Sequence, residues 1–286
     1  MASLLQELKA RIAVDVPHHD LAAAFARYRH YTEDLFLTSG GSFSALYSSE
    51  EAEEEGCGSC EDEQGVQCAI GSNCSCVSYT GNFYSSSALL SLPALPPNWP
   101  LVECGASCQC SARCSLRVTQ RGPSDNLVLR LGQASGLGIF ADAFLPSGRF
   151  ICLYAGEFID QAQARQRFEK QQCERQGNYI LCMRENDAII GFVDPTIKGN
   201  IGRFLNYSCD PNCRMEYVRW GPLAIPRPAI FTIRDIAPGE ELTWDYGSEE
   251  LSLEVQTTNE NSKTSRTRCF CDSKHCKGYL PYDASI

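Results

Sequence analysis

The chain has 286 residues, 25 Lys and Arg against 35 Asp and Glu for a net charge of -10, and an apolar share of 43%. That length supports one sizeable core plus a smaller module. The acidic balance argues against sequence-specific nucleic-acid binding, which needs clustered cations to displace counterions, and suits a basic peptide partner better.

The start, "MASLLQELKARIAV", sets Glu7, Lys9 and Arg11 where a signal peptide needs an unbroken apolar run. An intracellular chain is expected. Residues 1–48 read as a helical N-terminal arm: Asp20 can cap a segment in which Leu21, Ala24, Phe25, Tyr28 and Leu35 recur near helical spacing. The acidic run "EEAEEE", 50–55, reads as a solvated linker. Residues 49–121 are dense in thiols and poor in periodic pattern, so metal must hold them. The longest apolar stretch, 88–102, is broken by Pro93, Pro96, Pro97 and Pro100, which excludes a membrane span.

From Leu127 the character changes. "NLVLRL", "GRFICLYAGEFI", "AIIGFVD", "PAIFTI" and "ELTWDY" are short, apolar and partly β-branched, bounded by Gly, Pro and Asp, and read as strands of a mainly β domain over 122–247. One helix interrupts them, capped by Asp160 and ended by Gly177. Residues 248–268 are polar and rich in Ser and Thr, a flexible linker into a last module, 269–286.

Seventeen cysteines, an odd number in a reducing compartment, point to metal rather than disulfides. Nine fall in two groups, Cys57, Cys60, Cys68, Cys74 and Cys76, then Cys104, Cys108, Cys110 and Cys114. Their spacings let neighbouring thiolates turn toward common tetrahedral ions, and if three sulfurs bridge, nine ligands satisfy three zinc ions. The terminal "CFCDSKHC" offers Cys269, Cys271 and Cys276, one short of a closed site. Cys209 or Cys213 of the loop "RFLNYSCDPNC" can complete it; His275 is the rival, better read as an exposed polar residue.

"GRFLNYSCDPNC", "EELTWDYG", "LYAGE", "SGLG" and "CFCDSKHCKGYLP", in that company of cysteines, resemble the SET-domain histone-lysine methyltransferases. The nine-cysteine module resembles the pre-SET domain of the Su(var) subgroup, and "GNIGRFLN" is most similar to the SET part of SETMAR-like proteins. The resemblance implies a SET fold of short sheets with a threaded pseudoknot, flanked by zinc-binding pre-SET and post-SET modules. It implies S-adenosyl-L-methionine as cofactor, contacted by Gly136, Leu137, Gly138, Tyr179, Arg203, Asn206 and Tyr207, and Cys209 as the fourth post-SET ligand. It makes Tyr246 the catalytic tyrosine, lines the lysine channel with Tyr154, Trp244 and Tyr246, and leaves Cys213 a spare thiol.

Methyl transfer from a sulfonium to an amine is an in-line displacement that needs alignment and a neutral lysine, which a narrow apolar channel favours by desolvation. The family's usual Gly-Trp-Gly is Gly136-Leu137-Gly138 here, its usual histidine is Tyr207, and Trp244 takes the place of Phe or Tyr two residues before the catalytic tyrosine. A bulky Trp244 favours mono- or dimethylation. The expected substrate is a basic peptide, the histone H3 tail or a nucleosome, in the nucleus on the chromosome. The alternative is a catalytically weak or inactive SET module that binds chromatin or a protein partner; Tyr154, Tyr246, Asn206 and the four terminal-site cysteines favour the enzyme.

Overall fold

The computed structural model describes residues 2–37, 56–58, 60–61, 67–69, 72–91, 99–132, 136–174, 177–221, 225–247, 267–281 and 285–286. The acidic run 50–55 and nearly all of the linker 248–268 lie outside these residues. Among the described residues no helix is long and apolar enough to cross a membrane.

The N-terminal region corrects the expectation of a helical arm. It holds α1 (Ala2–Lys9), β1 (Ala13–Asp15), α2 (His18–Ala24) and β2 (His30–Tyr31), with Asp20 inside the first turn of α2 rather than at its cap. Local apolar spacing could not reveal the two strands, because their partners lie far along the chain. β1 pairs in parallel with β4 (Leu127–Leu131), Ala13 opposite Val128, and β2 with β10 (Lys198–Gly199), His30 opposite Lys198. Leu4, Leu8, Ile12, Leu21, Phe25 and Tyr28 are buried in the main core with Leu129, Ile139, Ile151 and Phe204. The segment is part of the domain.

The rest is built from short sheets. β3 (Leu101–Glu103) lies between the two cysteine groups of the thiol-rich region, in which α3 (Ser75–Thr80) is the one α-helix among the described residues. β4 pairs with β5 (Leu137–Ala141), and the sheet order is β1-β4-β5. β6 (Phe150–Leu153) is buried at all four positions, as a continuous apolar run should be when both faces are covered. It is the edge of a sheet ordered β3-β12-β13-β6, with β12 (Cys213–Trp220) and β13 (Arg227–Thr232). β7 (Glu157–Ile159), β8 (Leu181–Glu185) and β9 (Ala188–Asp194) form a third sheet, and β11 (Asn206–Tyr207) pairs with β14 (Thr243–Trp244).

The expected helix is α4 (Gln161–Cys173). Asp160 Oδ1 accepts from Gln163 N at 2.8 Å while Gln163 Oε1 accepts from Asp160 N at 3.2 Å, a reciprocal cap that satisfies two orphan N–H groups. The helix stops before Gly177: Glu174 N–H donates to the Lys170 and Gln172 carbonyls, and the Glu174 carboxylate pairs with Arg27. Asp160→Ala should cost about 1 kcal/mol. An unchanged urea midpoint would show that the cap contributes nothing.

Candidate functional site

The cysteine-rich region closes on itself through sulfur. Cys57, Cys60, Cys68 and Cys74 form one quartet, Cys57, Cys74, Cys76 and Cys104 a second, and Cys57, Cys68, Cys104 and Cys110 a third, with ligand atoms within 4.8 Å of one another in each. Cys76 and Cys108 sulfurs lie 3.6 Å apart, and Cys104 and Cys114 3.9 Å, so all nine thiols belong to one cluster. A tetrahedral zinc site with Zn–S near 2.3 Å has sulfur–sulfur edges of about 3.8 Å. The pairs Cys57–Cys68, Cys60–Cys68 and Cys68–Cys104, at 3.7, 3.6 and 3.6 Å, fit that figure. Hydrogen bonding from Cys104 lowers the Cys76 and Cys114 thiols, whereas burial raises those of Cys57, Cys60, Cys68 and Cys108, so the crowded sulfurs share few protons unevenly.

Cys209, Cys269, Cys271 and Cys276 make a separate quartet. Lys277 N–H donates to Cys209 Sγ at 3.2 Å and Gly278 N–H to Cys276 Sγ at 3.4 Å, outer contacts that stabilise thiolate charge. Of the two thiols that spacing left open, Cys209 lies with the terminal three and Cys213 does not. Cys213 opens β12 and is buried, with its thiol pushed up to about 12 by desolvation and its Sγ 3.5 Å from Asn212 Oδ1. His275 belongs to no quartet; its backbone N–H donates to Ser273 Oγ.

The loop between Arg203 and Cys213 lies against the segment ending at Tyr246. β11 runs parallel to β14 with Asn206 opposite Thr243 and Tyr207 opposite Trp244. Asn212 locks the pair from outside: its Nδ2 donates to Glu241 O at 2.7 Å and its Oδ1 accepts from Thr243 N at 2.8 Å. This is the contact that a threaded crossing of the two segments requires. It sets Asn206, Tyr207, Trp244 and Tyr246 side by side, with Cys209 two residues beyond.

Aromatic rings gather there. Trp244, 3% exposed, lies 5.8 Å from the Tyr154 ring and 5.1 Å from that of Tyr246, and Tyr207 packs on Tyr246 at 5.5 Å. Tyr154 Oη donates to Tyr179 O at 2.7 Å, and Tyr246 Oη to Leu205 O at 2.8 Å. With each proton committed to a backbone carbonyl, the phenol oxygens keep lone pairs for an incoming N–H or polarised C–H. Desolvation raises both phenols above their ordinary range, so they remain protonated.

The residues expected to touch cofactor fall into two places. Gly136, with φ +78°, leads into β5, where Leu137 and Gly138 face Asn206; Asn206 Nδ2 donates to Leu137 O at 3.1 Å. Arg203 is buried beneath. Its Nη1 donates to the Pro195 and Thr196 carbonyls, and its guanidinium lies 4.5 Å from the ring centres of both Tyr28 and Tyr179. Sequence reasoning missed Tyr28 and Glu241. Glu241 Oε1 accepts from Asn206 Nδ2 at 2.7 Å; the signal for it was a carboxylate in "EELTWDYG" beside a strand that places alternate residues on opposite faces. It also missed Glu103, fully buried, which accepts from Tyr84 Oη, Val118 N, Thr119 N and Oγ1, and Gln120 Nε2 and so fixes the cysteine module to the β3 edge.

Comparison with known proteins matches residues 136–247 to the SET domain family. The chain is 37% identical over 220 residues to the Bos taurus histone-lysine N-methyltransferase SETMAR, covering 74% of this chain and 71% of the relative. It is similar in structure to the methyltransferase domain of human SETMAR, with a TM-score of 0.71 and 32% identity over 89% of this chain and 90% of that one. Arabidopsis thaliana SUVH6, solved in complex with SAM, superposes with a TM-score of 0.64 at 25% identity, covering 88% and 50% of the two chains.

Proposed function

This chain belongs to the SET-domain histone-lysine methyltransferases, and from that membership we propose that it transfers methyl groups from S-adenosyl-L-methionine to a lysine of the histone H3 tail, in the nucleus on chromatin. The observation that carries the reading is the β11–β14 pair, which brings Asn206 and Tyr207 alongside Trp244 and Tyr246. The bound cofactor supplies an electrophilic methyl group. Tyr154, Trp244 and Tyr246 exclude water from the lysine side chain, and a desolvated ammonium gives up its proton more readily than one in water. The Tyr154 and Tyr246 oxygens, their own protons held by backbone carbonyls, accept from the neutral amine and direct its lone pair along the transfer line.

The thiol geometry suits three zinc ions in the cluster of nine and a fourth on Cys209, Cys269, Cys271 and Cys276. In this reading the ions are structural: four thiolates leave no open position for water or substrate. The fourth ties the last module to the loop that carries Asn206.

Incubation with labelled cofactor and intact nucleosomes, followed by mass spectrometry of the histones, tests the proposal. Label on a lysine supports it; nucleosome binding without transfer would make the chain an interaction module. The same spectra read the product. Trp244 stands between Tyr154 and Tyr246, so each added N-methyl must fit against an indole, and overpacking costs about 1 to 3 kcal/mol. Mono- and dimethyllysine should dominate, and Trp244→Phe should move the distribution toward trimethyllysine. Predominant trimethyllysine from the wild-type protein would remove the crowding argument.

A further inference from the structure

The Asn206 side-chain amide has two N–H bonds and both are spent inside the chain, one on the Leu137 carbonyl at 3.1 Å and one on Glu241 Oε1 at 2.7 Å. The Leu137 carbonyl can only accept, so the amide is turned with its N–H groups toward these two oxygens. Its oxygen receives no hydrogen bond from any described residue. The pair is also walled from the opposite side by main chain. A Cβ on Gly138 would run into Glu241 Oε1 and stand 3.1 Å from Asn206 Nδ2, so a side chain at that point of β5 would push the pair from its present positions. Glu241 is close enough to Tyr246 for its charge to add to the forces keeping that phenol protonated.

We propose that Glu241 is a positioning residue for the cofactor: it locks the Asn206 amide so that Oδ1 faces outward as an acceptor, and its charge favours a cationic donor there. This rests on the methyltransferase reading and deepens it. The complementary group is the α-ammonium of the cofactor's amino-acid part, which offers donors and a positive charge. Without the carboxylate only the Leu137 carbonyl still holds the amide, and the negative charge that favours an ammonium there is gone. The adenosine part of the cofactor is outside this interaction.

Two probes separate the parts. S-adenosylhomocysteine keeps the ammonium, whereas 5′-methylthioadenosine lacks the amino-acid portion altogether. By titration calorimetry on the full chain, Glu241→Gln should weaken S-adenosylhomocysteine by about tenfold, the scale of losing a charge-assisted hydrogen bond. Binding of 5′-methylthioadenosine should stay within about twofold, which also shows that the pocket remains folded. In steady-state assays the variant should raise KM for the cofactor more than it lowers kcat. Unchanged affinity for S-adenosylhomocysteine would overturn the inference, as would an equal loss for both probes, since that is the mark of general damage. Failure of the wild-type protein to bind S-adenosylhomocysteine would overturn the methyltransferase reading itself, and this inference with it.

Discussion

Cys57→Ser is expected to lower the zinc content from the proposed four ions to one and to unfold the cysteine module. Cys57 recurs in more of that module's quartets than any other thiol, which marks it as one of the bridging sulfurs, so its loss strips a ligand that neighbouring ions share. Structural zinc contributes on the order of 10 kcal/mol per site in small domains. That rivals the roughly 5 to 15 kcal/mol by which whole proteins are stable. The damage should spread, because the buried cysteines pack with Phe83, Leu101, Leu116, Phe150, Val218 and Phe231, residues drawn from both the module and the sheet behind it. Cys213→Ser is the matched control. It alters a buried thiol outside every quartet, and zinc content should stay at four. Elemental analysis with thermal melting reads both variants; a full zinc complement in Cys57→Ser would refute the shared-ligand arrangement.

Tyr246→Phe should reduce turnover by roughly a hundredfold or more, the scale of removing one contact made in the transition state. The ring contacts to Tyr207 and Trp244 survive the change, and only the hydroxyl that donates to Leu205 O is lost. Cofactor affinity should therefore stay near the wild-type value while kcat falls. The phenol's raised pKa gives a second signature. A tyrosine held protonated well above its usual range contributes no titration near neutrality, so the rise of rate with pH belongs to the substrate lysine shedding its proton and should keep its midpoint in the variant. Stopped-flow or single-turnover rates at several pH values check both. Turnover within a few fold of wild type would mean that another group guides the amine.

How much of this could be read from residue order depends on whether the partner of each residue is near or far. β9 was legible as "AIIGFVD" because apolar and β-branched residues cluster between turn formers, and α4 because Asp160 and Gln163 form their cap within one turn. β12 was missed, since "CRMEYVRW" carries three charged residues; these are accommodated by Arg214 pairing with Glu216 and Arg219 with Glu185, the latter on β8. β5 was hidden by Gly136 and Gly138, which read as a turn although only Gly136 has the left-handed backbone. At the candidate site, cysteine spacing pointed to the thiol clusters, and a family resemblance supplied Asn206, Tyr154 and Tyr246 as candidates. Glu241 was passed over although its carboxylate stands just before β14, because its importance comes from the Asn206 amide it faces, a partner that residue order does not reveal.

The parallel pairing of β1 with β4 and of β2 with β10 also imposes an order on biosynthesis. His30 and Tyr31 emerge well before their partners Lys198 and Gly199 are made. At the usual elongation rate of about 5 to 20 residues per second, the nascent segment waits on the order of ten seconds with Leu4, Leu8, Phe25 and Tyr28 uncovered. The late docking of this segment is what caps the open edge of β4. A protein expressed without its first sixteen residues would present that edge to solvent, and its characteristic failure would be strand-to-strand aggregation rather than a simple loss of melting temperature.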